Sequence, residues 1–166
     1  MTSMTKHTLV DCFSLRARIG WQGLRSDEFK TEGPYLVTGV DFHNGRVDWD
    51  DCYHVTEERY AQDKGIQLHE HDLLITKDGT IGKTAVVVDC PDKATLNSGV
   101  FVVRAINNEV VPEFLHYVLH SHWFDLFVRN VLTGSTIKHL NQEKFYKFSF
   151  EAPDVPTQKK IVEVLE

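Results

Sequence analysis

The sequence predicts an α+β fold: a single domain on a twisted mixed or antiparallel sheet, with flanking helices and the start of a further helix at the C-terminal end. Three observations carry this. Short β-branched or apolar runs recur at Leu73–Thr76, Lys83–Asp89 and Gly99–Ala105, separated by turn-forming residues. The apolar period then becomes helical, with Phe114, Leu115, Val118, Leu119, Trp123, Leu126 and Phe127 recurring over Pro112–Val128. Finally, 166 residues with 42% hydrophobic and 25% charged content suffice for one buried core and do not resemble a disordered chain.

The elements follow in order. Thr8–Ile19 mixes β-branched and aromatic residues and reads as a strand, with Gly20–Gly23 a loop. Gly33-Pro34 signals a turn into a short strand, Tyr35–Thr38. Asn44-Gly45 is the strongest short hairpin signal. Thr56 is a candidate N-cap for a helical stretch to about Lys64, which Gly65 would end. Lys77–Gly82 reads as a turn between two strands. Pro112 suits a first helical turn, Thr133–Thr136 breaks that helix, Asn141–Tyr146 is a helical turn and Lys147–Glu151 a strand. Pro153 and Pro156 bracket a boundary. Thr157–Glu166 opens an amphipathic helix with no stop signal at Glu166, as expected of a helix that continues or docks on a partner. This divides the chain into 1–152, the domain, and 153–166, the start of a linker helix.

No apolar run reaches the roughly 18 residues of a membrane span. The first nine residues lack a basic segment leading into an apolar one, which argues against a secretory signal. Cys12, Cys52 and Cys90 are odd in number, widely spaced and contain no CxxC. They argue against a disulfide framework or a cysteine zinc site, and for a cytoplasmic setting. The net charge of -6 argues, taken alone, against a nucleic-acid partner. The distribution weakens that argument. Residues 31–75 carry a net of -7, whereas residues 1–30 carry +2 and residues 76–150 carry +1.

Lys77–Thr84 approaches a phosphate-binding loop, but its first glycine is replaced by Lys77 and a strand is expected where that loop needs a helix. As a hairpin turn it still offers Lys77, Thr80 and Lys83, with glycines that permit close backbone approach to a phosphate. Thr133–Leu140 combines Gly134, hydroxyl side chains, Lys138 and His139; it suits either phosphate and base contact or capping of the helical turn that follows. His69 and His71 share one face of an extended segment. His116 and His120 share a helix face, with His122 nearby, but Tyr117 stands where HExxH requires Glu. Surface histidines are the plainer reading; a small metal-dependent hydrolase is the alternative. The carboxylate pairs Asp50-Asp51 and Glu57-Glu58 read as acidic surface, and no GxSxG or GxGxxG occurs.

The succession of motifs resembles one target recognition domain of the specificity subunit of type I restriction–modification systems. The stretches are Gly33-Pro34-Tyr35-Leu36 with Asp41 and Gly45; the run His71–Lys83; Leu96-Asn97-Ser98-Gly99; Pro112-Glu113-Phe114-Leu115; Gly134-Ser135-Thr136; and Glu151-Ala152-Pro153 through Gln158, Ile161 and Leu165. The resemblance covers nearly the whole chain. It implies a non-catalytic reader of double-stranded DNA that takes no cofactor or metal itself. In that family two such domains in tandem, separated by antiparallel helices, each read half of a split site. Methyltransferase (modification) and restriction subunits assemble around them, and the methyltransferase uses S-adenosylmethionine. This chain departs in having one recognition domain and almost no spacer helix, which implies a fragment or a half-length subunit that pairs with a second copy.

The contact residues implied are Lys77, Thr80 and Lys83 in one loop and Ser135, Thr136, Lys138 and His139 in a second. Arg46, Gln22 and Arg25 are further candidates, as are Arg16, Arg18 and Trp49; a solvated sheet face is the plain alternative for the arginines. A protein-interaction or decoy module on the same fold is a third functional reading, motivated by the acidic segment Asp41–Asp72.

Overall fold

Strand β7 (Leu73–Thr76) is buried on both sides, and its alternation divides the core in two. Leu73 and Ile75 point into one cluster, Leu74 into the other. The neighbouring β10 (Val100–Ala105) repeats this, with Phe101 and Val103 on one side and Val100 and Val102 on the other. A computed structural model describes residues 3–19, 22–133 and 139–166. It is an α+β fold, as the sequence predicts.

β1 (Thr5–Thr8), α1 (Leu9–Cys12) and β2 (Phe13–Arg16) open the chain. β3 (Lys30–Val37), β4 (Phe42–His43), β5 (Arg46–Val47), β6 (Tyr53–His54) and α2 (Glu57–Ala61) precede β7; β8 (Thr84–Val86) and β9 (Ala94–Leu96) follow it. After β10 come α3 (Pro112–Val118), α4 (His122–Leu132), α5 (Gln142–Phe145), β11 (Ser149–Ala152) and α6 (Val155–Leu165).

The central sheet has the order β2-β10-β7-β8-β5-β4, antiparallel except for the parallel β5–β8 pair. A second sheet, β6-β3-β9, covers one face through Val37, Ala94 and Leu96. Helices α3 to α5 and the ribbon β1–β11 cover the other, where Phe124 packs against Phe145 and Phe148 at centroid separations of 5.6 and 5.0 Å.

Three local expectations are corrected. The strand expected over Thr8–Ile19 is interrupted by α1, because Leu9 and Val10 donate their amides to the carbonyls of Phe148 and Tyr146 (2.8 and 3.2 Å) rather than to a strand partner. The single helix expected over Pro112–Val128 is two. The chain turns at Leu119–Ser121, so that Leu115, Leu119 and Phe124 all reach the same core face. The last helix begins at Val155, not Thr157: Pro156 lies in its first turn and the Asp154 carboxylate accepts from the Thr157 amide at 2.9 Å. The Asn44-Gly45 turn is as read, with φ of 52° and 77°, the left-handed pair a two-residue hairpin needs.

Candidate nucleic-acid interface

The β7–β8 connection is tied down from within. Thr76 sits at its base: its Oγ1 donates to the Thr80 carbonyl and accepts from the Lys83 amide (2.9 Å), and its own carbonyl accepts from the Gly82 amide (3.0 Å). Gly79 and Gly82 have φ of 66° and 88°, which lets the turn close without strain. The result is a short, preorganised loop whose tip, Asp78–Thr80, is exposed. Because β8 is a strand, no helix follows Lys83-Thr84, and the geometry of a nucleotide-binding loop is absent there.

Lys77 is half-buried, with its ammonium 5.4 Å from the centre of the Phe101 ring. Lys83 is exposed, and its Nζ donates to the Gly39 carbonyl at 3.3 Å. Lys83 thus stands between two hollows of about 260 Å³ each. One is shared with Gly39, Val40, Thr80, Asn97 and Gly99, the other with Asn44, Gly45, Thr84 and His120. The 38–40 and 97–99 turns are components that sequence reasoning did not assign; only the turn signal Asn97-Ser98-Gly99 hints at them.

The second candidate loop reaches the first. The Leu140 amide donates to the Lys77 carbonyl at 2.7 Å, so His139, half-buried, lies beside the β7–β8 connection. Ser135, Thr136 and Lys138 lie outside the described residues. Arg46 is exposed on β5, where it shares a hollow of about 380 Å³ with His43, Asp48, Trp49 and Asp50. The two carboxylates there reduce its pull on a phosphate.

Other candidates fall elsewhere. Arg25 is exposed beside Asp27 (3.6 Å), in the segment before β3, and lines neither of the hollows beside Lys83. Arg16 is exposed 3.9 Å from Asp63. Trp49 is half-buried, with its indole N–H donated to the Val88 carbonyl at 2.9 Å and its ring edge-on to Tyr35, which fits a packing role.

Two candidates are withdrawn. Gln22 is buried, so it does not offer its amide to a groove. Arg18 is only 2% exposed: it donates to the Leu96 carbonyl (2.8 Å) and to Thr95 Oγ1 (3.2 Å), tying β9 to the segment after β2. Neither a DNA contact nor a solvated face describes it.

Of the histidine pair, His120 is exposed, as the surface reading has it, but His116 is not. His116 is buried, with its ring 4.6 Å from that of His120, and His120 bonds Thr84 Oγ1. Burial, then the neighbouring His120 and Arg46, push the His116 imidazole down to about 4, so it is neutral at neutral pH. Among the described residues, neither this pair nor His69 with His71 belongs to a cluster of three potential metal ligands.

The fold and loops define a module that presents backbone amides, hydroxyls and lysines on adjoining turns, a class suited to binding anionic polymers. The chain belongs to the type I restriction modification DNA specificity domain family, whose profile matches residues 20–166.

Solved structures agree in fold. A chain from a study of complex assembly and conformational transition of the type I R-M system superposes with a TM-score of 0.70 at 16% identity, over 98% of this chain and 37% of that one. The HsdS subunit from Thermoanaerobacter tengcongensis gives 0.68 at 16% identity, covering 98% and 36%. The type I restriction–modification S subunit from M. genitalium gives 0.66 at 14% identity, covering 99% and 38%. At these identities the likeness is one of fold, and the chain spans little more than a third of each of those proteins. No curated protein sequence matches the chain significantly.

Proposed function

We propose that this chain is a non-catalytic specificity module that reads one half of a bipartite double-stranded DNA site. Family membership supports the class. The observation that carries the site is the Leu140–Lys77 hydrogen bond, which brings the His139 end of one candidate loop against the Lys77–Lys83 loop. Lysine ammonium groups, Thr80 and loop amides would hold phosphates and set register. His139 and Arg46 would lie nearest to base edges, together with Ser135, Thr136 and Lys138 of the second loop. Arg25 would add a phosphate contact.

The division into a recognition domain (1–152) and the first turns of a spacer helix (153–166) belongs to this reading. So do a second recognition domain, supplied by a longer chain or a second copy, partner methyltransferase and restriction subunits, and a cytoplasmic setting. No described helix is long and apolar enough to cross a membrane. The test is binding of the intact specificity subunit, with its methyltransferase, to a library of DNA duplexes at low salt. Sequence preference by the intact assembly, with affinity that falls about uniformly across duplexes when Lys77 and Lys83 are both replaced, supports the proposal; equal binding to all sequences by the intact assembly refutes it.

A further inference from the structure

We propose that His7, Cys12 and Glu109 form a zinc-class metal site at the foot of helix α6. The three residues come from β1, the end of α1 and the turn after β10. Cys12 Sγ lies 3.6 Å from His7 Nδ1 and 3.6 Å from Glu109 Oε2, and His7 Nδ1 lies 3.8 Å from Glu109 Oε2. Tetrahedral ligation at ordinary Zn–S, Zn–N and Zn–O lengths puts such ligand atoms roughly 3.4–3.6 Å apart. The triangle therefore needs to contract by only a few tenths of an ångström to hold one ion. Thiolate, imidazole and carboxylate suit a borderline-soft divalent cation, and three protein ligands leave the fourth position to water. Cys12 is fully buried whereas the Glu109 side chain is 59% exposed, so the ion enters from the Glu109 side.

The scaffold around the triangle is already fixed. His7 pairs opposite Phe150 in the β1–β11 ribbon, and its ring lies 5.8 Å from that of Phe150. The Ile106 amide donates to the Cys12 carbonyl at 2.9 Å. Asn107 Nδ2 donates to the Asp11 carbonyl at 2.8 Å, and Asn107 Oδ1 accepts from the Glu109 amide at 3.1 Å. Ligands held this way lose little entropy on binding.

The position also gives the site a consequence. Gln158, fully buried on α6, donates to the carbonyls of Glu109 (3.0 Å) and Pro153 (2.8 Å) and accepts from the Val111 amide (2.9 Å). An ion on Glu109 thus stiffens the turn on which α6 is seated. The site is independent of DNA reading. Sequence inspection misses the site because Glu109 lies 97 residues from Cys12.

The test uses the full chain with Zn²⁺ alone, and Co²⁺ as a spectroscopic substitute. We expect one zinc per chain after dialysis, a thiolate-to-cobalt charge-transfer band, and a zinc-dependent rise in Tm. His7→Gln and Glu109→Gln should each weaken zinc binding by about tenfold or more. Cys12→Ser should abolish the charge-transfer band, and Cys90→Ser should change nothing. If the wild-type chain takes up no stoichiometric zinc, or folded His7→Gln and Glu109→Gln bind it as the wild type does, the site is overturned and the triangle is a hydrogen-bonded cluster only.

Discussion

The backbone amide of Leu140 donates to the carbonyl of Lys77 across 2.7 Å, joining two segments more than sixty residues apart. Leu140 is itself fully buried in the core under the central sheet. Leu140→Ala removes that anchor and should cost about 2–4 kcal/mol in urea denaturation. Because no charge is lost, DNA affinity should fall with an unchanged salt slope. A changed slope would mean that Leu140 acts through something other than positioning.

Arg18 separates a structural arginine from a contacting one. Its guanidinium satisfies Leu96 and Thr95 in the interior. Arg18→Ala should destabilise by about 2–3 kcal/mol through a cavity and unpaired acceptors, while leaving the salt dependence of DNA binding intact. A variant of wild-type stability would show that those bonds matter little.

His116 makes stability depend on pH. Folded, the imidazole titrates near 4; unfolded, near its ordinary 6.5. The unfolded chain therefore binds more protons between these values, and stability falls as pH drops through that window. From pH 7 to pH 5 the loss attributable to this residue is about 2 kcal/mol. His116→Gln should remove that component; parallel stability curves for the two proteins would exclude it.

Gly45 combines a φ of 77° with His116 at its back, where an added Cβ would stand 3.4 Å from Nε2. Gly45→Ala should cost about 1–2 kcal/mol, read as a lower Tm. Gly79→Ala shares the left-handed φ but meets open space, so it isolates the backbone component, roughly 1 kcal/mol. Equal losses at the two positions would mean that the His116 contact adds nothing.

What could be read from sequence tracks how local the determining contacts are. Strand β7 was legible to the residue, and Asn44-Gly45 gave its hairpin, because apolar runs and turn chemistry are short-range signals. The break at α1 was not legible, since the partners of Leu9 and Val10 are carbonyls near residue 147. The break between α3 and α4 was hidden for the same reason: the apolar period runs on through Leu119, and only packing shows that the chain turns there. In the site, the lysine loop was visible from its glycines and lysines. The inward turn of Arg18 was not, because a sequence does not say which side of an edge segment is covered. The turns at 38–40 and 97–99 join Lys83 only through sheet topology.

In the proposed function the Lys77–Lys83 loop holds DNA phosphates while the fold presents it. The most direct measurement is the salt dependence of specific duplex binding by the intact subunit with its methyltransferase, for wild type and for Lys77→Ala/Lys83→Ala. If both lysines meet phosphates, affinity falls and the slope of log K against log salt flattens by about 2. An unchanged slope with wild-type affinity would contradict the claim and move the DNA to another face of the molecule.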